Sequence, residues 1–275
     1  MTATEPARPV PARGSETVAR VVSSVVLGLL ALFVIVAGGW PAATIIAIAL
    51  GIVHLEWAHI TDKSPWPTAV FTAGLVVAMA MVALGFVGGA LIIVGLAIVT
   101  SALTLSVWRP AGVLYASVFG VGLLLLRLSP DDGFTAVLLI VLVVAATDTS
   151  AFLFGRAIGG PKLWPEISPG KTRAGSIGGL AGGIVVGVIA AVLLGLPLSP
   201  PLVAVIAGLS IATQAGDLFE SWVKRVFGVK DSGHLIPGHG GLMDRVDGLV
   251  FATGLGVLVG FLHGGADLAA GLLRW

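Results

Sequence analysis

The chain is predicted to be an all-α, polytopic integral membrane protein, a bundle of about nine transmembrane helices. Of its 275 residues, 57% are hydrophobic and only 11% are charged, and the mean hydropathy is +1.06. A soluble domain usually carries about a quarter charged residues, so this chain has too little polar surface to face water. Apolar runs close to the roughly 20 residues that a spanning helix needs recur along the sequence. The chain has no cysteine, which excludes disulfides and thiolate metal sites.

The elements follow from these runs in chain order. A Pro- and Arg-rich tail, residues 1–19, is predicted to be disordered and cytoplasmic. The first apolar run is a retained span, because it is too long for a signal-peptide core and no small-residue cleavage site follows it. The short connections carry Gly, Pro and Trp, and Trp rings prefer the ends of spans. The predicted spans are 20–38, 41–58, 67–86, 88–107, 110–128, 134–155, 174–195, 199–223 and 246–264. They divide into an N-terminal transmembrane region, 20–133, and a C-terminal region, 134–275, that carries the candidate catalytic residues.

Lys and Arg predict the orientation, because cytoplasmic loops carry an excess of both. With the N-terminus in the cytoplasm, only Arg127 and Arg274 of the 15 Lys and Arg residues face outside. The charged connections at 156–173 and 224–245 then share the cytoplasmic side. We therefore expect a protein of a bacterial-type inner (plasma) membrane with a cytoplasmic N-terminus.

Two predicted spans carry small residues at every fourth position. A ridge of this kind forms a flat helix face that lets another backbone approach closely. We expect these ridges to pack against other helices of the same bundle rather than against a second copy of the chain. Whether the protein forms a homodimer stays open. The first ridge is Gly175, Gly179, Gly183 and Gly187, and the second is Gly248, Ala252, Gly256 and Gly260.

The stretch from Gly216 to Gly248 concentrates charge in an otherwise apolar chain. Asp217 and Lys224 share a helix face with Gln214, and Glu220 lies beside them. An acid within a span is costly, so it needs a cation, a partner or a water-filled cavity. A salt bridge of Asp217 or Glu220 with Lys224 would explain one acid, but not the acids that follow.

Those further acids predict a metal site. Asp244 and Asp247 lie three residues apart at the start of the last span, so a helix places both carboxylates on one face. With Asp217 they predict a divalent site, and Asp148, a lone acid inside the sixth span, is a second-rank ligand. Oxygen ligands favour Mg²⁺, bound through carboxylates and substrate phosphates, and an accompanying monovalent cation stays open. Asp244 alone could instead be a first-turn acid favoured by the helix dipole.

The glycine-rich loop "PGHGG" is a candidate phosphate site. The N–H groups around Gly240 and Gly241 can approach an anion closely. His239, just before these two glycines, could carry a proton, donate to phosphate or brace the loop. The surrounding positive charge, suited to phosphate oxygens, comes from Lys224, Arg225, Lys230 and Arg245. Positive-inside topology also accounts for Lys224 and Arg225.

A second candidate phosphate site is "SPGKT". It lacks the Walker pattern, because Pro165 stands where the first glycine belongs and no strand is expected before it. What remains is Ser168, Lys171 and Thr172 ahead of a helix whose N-terminus favours anions.

Taken together, these motifs resemble a known family. "SWVKRVFGVKDSGHLIPGHGGLMDRVD", Ser221 to Asp247, resembles the signature of the phosphatidate cytidylyltransferases, or CDP-diacylglycerol synthases. The shared pattern is a Ser, a Lys-Arg pair, Lys-Asp, a proline, His-Gly-Gly and Asp-Arg-x-Asp. "GDLFES" and "TDTSAFLFGR…SPGKT…GSIGG" extend the likeness from Asp148 onward. Arg173 and Ala174 depart from it, because family members commonly carry Trp-Glu there.

The resemblance implies a nucleotidyltransferase that converts CTP and phosphatidic acid to CDP-diacylglycerol and pyrophosphate, the first committed step of phospholipid synthesis. It implies CTP, phosphatidic acid and membrane lipid as partners, and no nucleic acid. A CTP-dependent lipid-alcohol kinase would use similar phosphate chemistry, and a secondary transporter would suit an intramembrane acid. A CDP-alcohol phosphotransferase is disfavoured, because "DRVDGLVFATG" lacks its Ala-Arg and later acids.

Overall fold

Apolar runs and their breakers produce a helical protein with one small hairpin. A computed structural model of the chain describes residues 13–62, 64–104, 106–236 and 240–275, and in the first helix it describes side chains only from residue 22 onward, except residue 24. The helices are α1 Arg13–Ala37, α2 Gly39–Thr61, α3 Pro65–Ala83, α4 Val87–Ala102, α5 Trp108–Ser117, α6 Leu123–Arg127, α7 Gly133–Ile158, α8 Arg173–Leu193, α9 Pro200–Val226, α10 Met243–Gly264 and α11 Leu268–Leu273. A π-helical turn, Val118–Gly122, joins α5 and α6 into one span, and β1 Lys162–Trp164 pairs antiparallel with β2 Ser168–Thr172.

The all-α membrane fold is confirmed, whereas the count of nine spans is not. Each of the nine predicted segments is helical, but seven helices in the described part of the chain are long and apolar enough to cross a membrane. The described apolar part of α1, Val25–Ala37, and helix α4 are shorter. The predicted fourth span, 88–107, is shorter in the structure because α4 ends at Ala102. Of the predicted tail, residues 1–12 lie outside the described residues, and α1 begins at Arg13.

The hairpin corrects one expectation. No strand was expected before "SPGKT", yet β1 precedes it and "SPGKT" is itself β2. The pair is antiparallel, with Lys162 opposite Thr172, so it is a hairpin between two spans and not a strand entering a phosphate loop. The Thr172 side chain then caps α8 by accepting a hydrogen bond of 3.0 Å from the Gly175 N–H.

Both small-residue ridges pack inside the bundle, as favoured from sequence. An added Cβ at Gly175 would come within 2.8 Å of the Ala151 carbonyl oxygen on α7. An added Cβ at Gly248 would come within 2.8 Å of the Thr213 side chain on α9. The ridges therefore hold α7, α8, α9 and α10 close together, and these four helices carry the polar residues.

The polar groups divide between two ends of the bundle. One end gathers the last turns of α2, α7 and α9, the hairpin, and the first turns of α8 and α10, as their shared contacts show. At the other end, Arg274 binds Asp132 at 2.7 Å and the Ser129 hydroxyl donates to Asp267 at 2.7 Å. Charged side chains at the first end surround a cavity, which is the candidate site.

Candidate active site

A polar cavity of about 700 Å³ lies where α7, the hairpin, α8, α9 and α10 meet. Each wall comes from a different part of the C-terminal half. Its apolar side includes Ala151, Phe152 and Leu163. Its charged lining is Asp148, Arg156, Lys171, Asp217, Glu220, Lys224, Asp231, Asp244, Arg245 and Asp247. The two charged connections predicted to share one side of the membrane therefore line one cavity.

Three of the lining acids come from three different helices. Asp148 lies on α7, Asp217 on α9 and Asp247 on α10. Asp217 forms an ion pair with Lys171 of β2, so the hairpin reaches across the cavity to α9. Asp247 accepts a hydrogen bond of 2.7 Å from the Gly248 N–H. The sequence placed Asp217 on the same helix face as Lys224. In the structure, the cationic partner of Asp217 is Lys171.

Asp244 is bound more fully than the other acids. Its carboxylate accepts from Lys224 Nζ at 2.7 Å, from the Ser232 N–H at 3.0 Å and from the Gly241 N–H at 2.8 Å. Lys224 also contacts Glu220 at 2.7 Å, so one ammonium group bridges two buried carboxylates. Of the two salt bridges that the sequence left open for Lys224, with Asp217 or with Glu220, the one with Glu220 is present. Asp244 thus holds the connection between α9 and α10 in place as well as lining the cavity.

The remaining predicted residues that the structure describes are not part of the cavity lining. Ser168 begins β2, and the exposed Lys230 lies next to Asp231. Gly240 has a φ of +84°, a conformation that glycine adopts readily. The Gly241 N–H donates a hydrogen bond to the Asp244 carboxylate. Arg225 donates to the Ile167 carbonyl oxygen at 3.3 Å and so braces the hairpin. His239 lies outside the described residues.

Sequence reasoning missed one residue that contacts the signature connection. Glu56, on α2, accepts from the Met243 N–H at 2.7 Å, from the Leu242 N–H at 3.0 Å and from the Ser232 hydroxyl at 3.3 Å. It is 9% exposed and does not line the cavity. The signal that could have revealed it is the one that singled out Asp148, an acid within an apolar span.

The cavity offers oxygen donors of the kind that a hard divalent cation prefers. Asp148, Asp217 and Asp247 offer oxygen ligands from three walls, whereas the carboxylate of Asp244 already accepts from three donors. Within the described residues, no three His, Asp or Glu side chains already stand in metal-binding geometry. Mg²⁺ commonly binds through one or two carboxylates together with substrate phosphates, so a site of this kind is completed by its substrate.

Comparison with known proteins decides the family. The model of the cytidylyltransferase family matches residues 18–262. The chain belongs to this family. It is 38% identical over 265 residues to phosphatidate cytidylyltransferases of Brucella abortus and Brucella suis, covering 92% of this chain and 96% of theirs. It is 44% identical over 137 residues to that of Staphylococcus haemolyticus, covering 50% of this chain and 53% of that one.

The resemblance seen in the signature is therefore confirmed, and this cytidylyltransferase is an integral membrane enzyme that transfers nucleotidyl groups. Its departure from the signature lies at the start of α8. There the Arg173 N–H donates to the Pro161 carbonyl oxygen at 2.9 Å, which closes the base of the hairpin. The exposed Arg173 side chain and Ala174 lie where the resemblance expects Trp and Glu.

Proposed function

We propose that this cytidylyltransferase makes CDP-diacylglycerol and pyrophosphate from CTP and phosphatidic acid at the cytoplasmic face of the membrane, the first committed step of phospholipid synthesis. The observation that carries the proposal is the cavity at one end of the bundle, which combines acids, cations and an apolar wall. The names of the relatives that match nearly the whole chain support the choice of substrates.

The reaction needs little covalent chemistry from the protein. An oxygen of the lipid phosphate attacks the α-phosphorus of CTP, a new P–O bond forms, and the bond to the β-phosphate oxygen breaks as pyrophosphate leaves. Catalysis of this type consists mainly of positioning and charge stabilisation. Lys171, Lys224 and Arg245 line the cavity and would bind phosphate oxygens there. For His239 the three roles considered from sequence, carrying a proton, donating to phosphate or bracing the loop, stay open.

The acids are proposed to hold the cation. Asp148, Asp217 and Asp247 would bind Mg²⁺ together with phosphate oxygens of CTP, and Asp244 would position the connection that carries Arg245. When bound, the cation would neutralise charge on the phosphates during transfer. Lys171, paired with Asp217, would then keep this acid oriented until nucleotide enters.

The apolar wall of the cavity would contact the acyl chains of the lipid substrate. Phe152 and Leu163 line the cavity beside the charged groups, and Phe152 and Trp164 are largely exposed. A lipid phosphate could therefore lie among the cations while its acyl chains stay against apolar surface. This arrangement matches a reaction in which one substrate comes from water and the other from the bilayer.

Labelled CTP tests the proposal against its rivals. Purified protein would be incubated with phosphatidic acid, diacylglycerol, Mg²⁺ and CTP labelled at either the α- or the γ-phosphate. Cytidylyl transfer carries only the α-label into the lipid fraction and releases pyrophosphate. A lipid-alcohol kinase would carry the γ-label instead, and a transporter would carry neither. Either of these results would reject the proposal.

A further inference from the structure

We infer that Glu56 is a positioning residue, through which the N-terminal half of the chain fixes the geometry of the catalytic end of α10. The inference rests on the proposed function in one respect, because the reaction it positions is that transfer. The contacts themselves are independent of the substrate.

Glu56 acts as the missing cap of α10. The first N–H groups of a helix have no partner within the helix and need an acceptor from elsewhere. Leu242, which precedes α10, makes no side-chain capping bond. The Glu56 carboxylate accepts from the N–H groups of Leu242 and Met243, residues 186 and 187 positions later in the chain. A negative group at this end is also favoured by the helix dipole.

The backbone of the connection wraps closely around this carboxylate. An added Cβ at Gly241 would lie 2.7 Å from both Glu56 carboxylate oxygens, and one at Gly233 would lie 2.9 Å from Oε1. Gly241 is the last residue of "PGHGG". A side chain at this position would press on the Glu56 carboxylate and, more closely still, on the Ser232 hydroxyl oxygen, a reason for glycine that is separate from any approach to phosphate.

Two carboxylates hold the same segment through different groups. Glu56 binds the Ser232 hydroxyl and Asp244 binds the Ser232 N–H, so both fix one turn of the connection. Asp244 lines the cavity, whereas Glu56 does not. Because Asp247 follows Met243 by about one helical turn, a shift at the start of α10 would move Arg245 and Asp247 relative to α7 and α9.

The test compares Glu56→Gln with the matched control Asp132→Asn. Asp132 is also a buried acid at the end of a span, but it binds Arg274 at the opposite end of the bundle. Glu56→Gln keeps the size of the side chain, but its amide N–H group would face N–H donors. We expect kcat for α-label transfer to fall by about 100-fold, since small misplacements of reacting groups have effects of this size. We expect the KM for CTP to change little.

Hydrogen-exchange mass spectrometry gives a readout that is independent of activity. In Glu56→Gln, amide exchange at residues 231–236 and 240–243 should become faster, while exchange over the hairpin and in Asp132→Asn should keep the wild-type rate. Unchanged exchange at 231–236 and 240–243 would overturn the inference. Faster exchange throughout the bundle, with a lower melting temperature, would also overturn it, because Glu56 would then be a general structural residue. If the wild type transfers no label, the proposed function fails, and the exchange result still decides the role of Glu56.

Discussion

Replacing Asp244 and Asp217 by Asn should separate a structural role from a catalytic one. Asp244 is 6% exposed at its side chain and accepts hydrogen bonds from an ammonium group and two main-chain N–H groups. Asn keeps one acceptor oxygen and turns its NH₂ group toward donors, so about two of these bonds are lost. Each bond to a charged group contributes about 1.5–3 kcal/mol, and with the lower value for each of the two bonds we expect Asp244→Asn to lower the free energy of unfolding by about 3 kcal/mol.

Asp217 lies in a different environment. Its side chain is 34% exposed and that of its partner Lys171 is 26% exposed, so water screens the pair. Such a pair contributes about 0–1 kcal/mol to stability. Asp217→Asn should therefore unfold close to the wild-type temperature, yet lose turnover by about 100-fold or more if the acid holds the cation that neutralises charge on the transferring phosphate.

Thermal unfolding and turnover measured on the same purified proteins check both expectations. For a protein of this size about 3 kcal/mol corresponds to a fall of about 6–12 °C in Tm for Asp244→Asn, against less than about 4 °C for Asp217→Asn. Asp131→Asn, an exposed acid at the opposite end of the bundle, is the control and should leave Tm and turnover unchanged. A wild-type Tm in Asp244→Asn would refute the structural reasoning, and normal turnover in Asp217→Asn would refute the proposed ligand role.

Three further predictions concern packing, metal and topology. Gly183→Val should lower Tm by several degrees, because its side chain would meet Ser210 and Thr147, whereas Gly28→Val has open space and should be tolerated; thermal unfolding compares the two. Removal of divalent ions by EDTA should abolish transfer of the α-label, and Mg²⁺ should restore it with little change in Tm, since the site is completed by substrate; full activity in EDTA would contradict the metal proposal. Reporter fusions at 165 and 235 should both read cytoplasmic and one after 275 periplasmic, and opposite sides for the first two would contradict a shared cavity.

The sequence was sufficient to predict the helices and much of the cavity lining. Asp148 and Asp217 were identified because charge within apolar spans needs a partner or a cavity. Asp247 was identified by its spacing from Asp244, and Lys171 by the motif "SPGKT" ahead of a helix N-terminus. The structure brings all four to one cavity. Their grouping could be predicted because positive-inside topology and helix periodicity are local properties of the chain.

What could not be predicted depends on contacts between distant segments. The hairpin arises where the chain closes from α7 back to α8, and its Pro- and Gly-containing sequence shows no strand periodicity. Glu56 binds main-chain N–H groups more than 180 residues away, and main-chain donors leave no pattern in a sequence. The firm binding of Asp244 was missed for the same reason, because two of its donors are also main-chain groups.

The bond between α2 and the start of α10 also bears on how such proteins can recombine. A chimera that joins the first spans of one relative to the last spans of another keeps its hydrophobic pattern and should still insert. It would keep the geometry at the start of α10 only if the donor of the first spans brings a carboxylate opposite Gly233 and Gly241. The two halves are therefore expected to be inherited as a matched pair, even though every charged residue lining the cavity belongs to the second half.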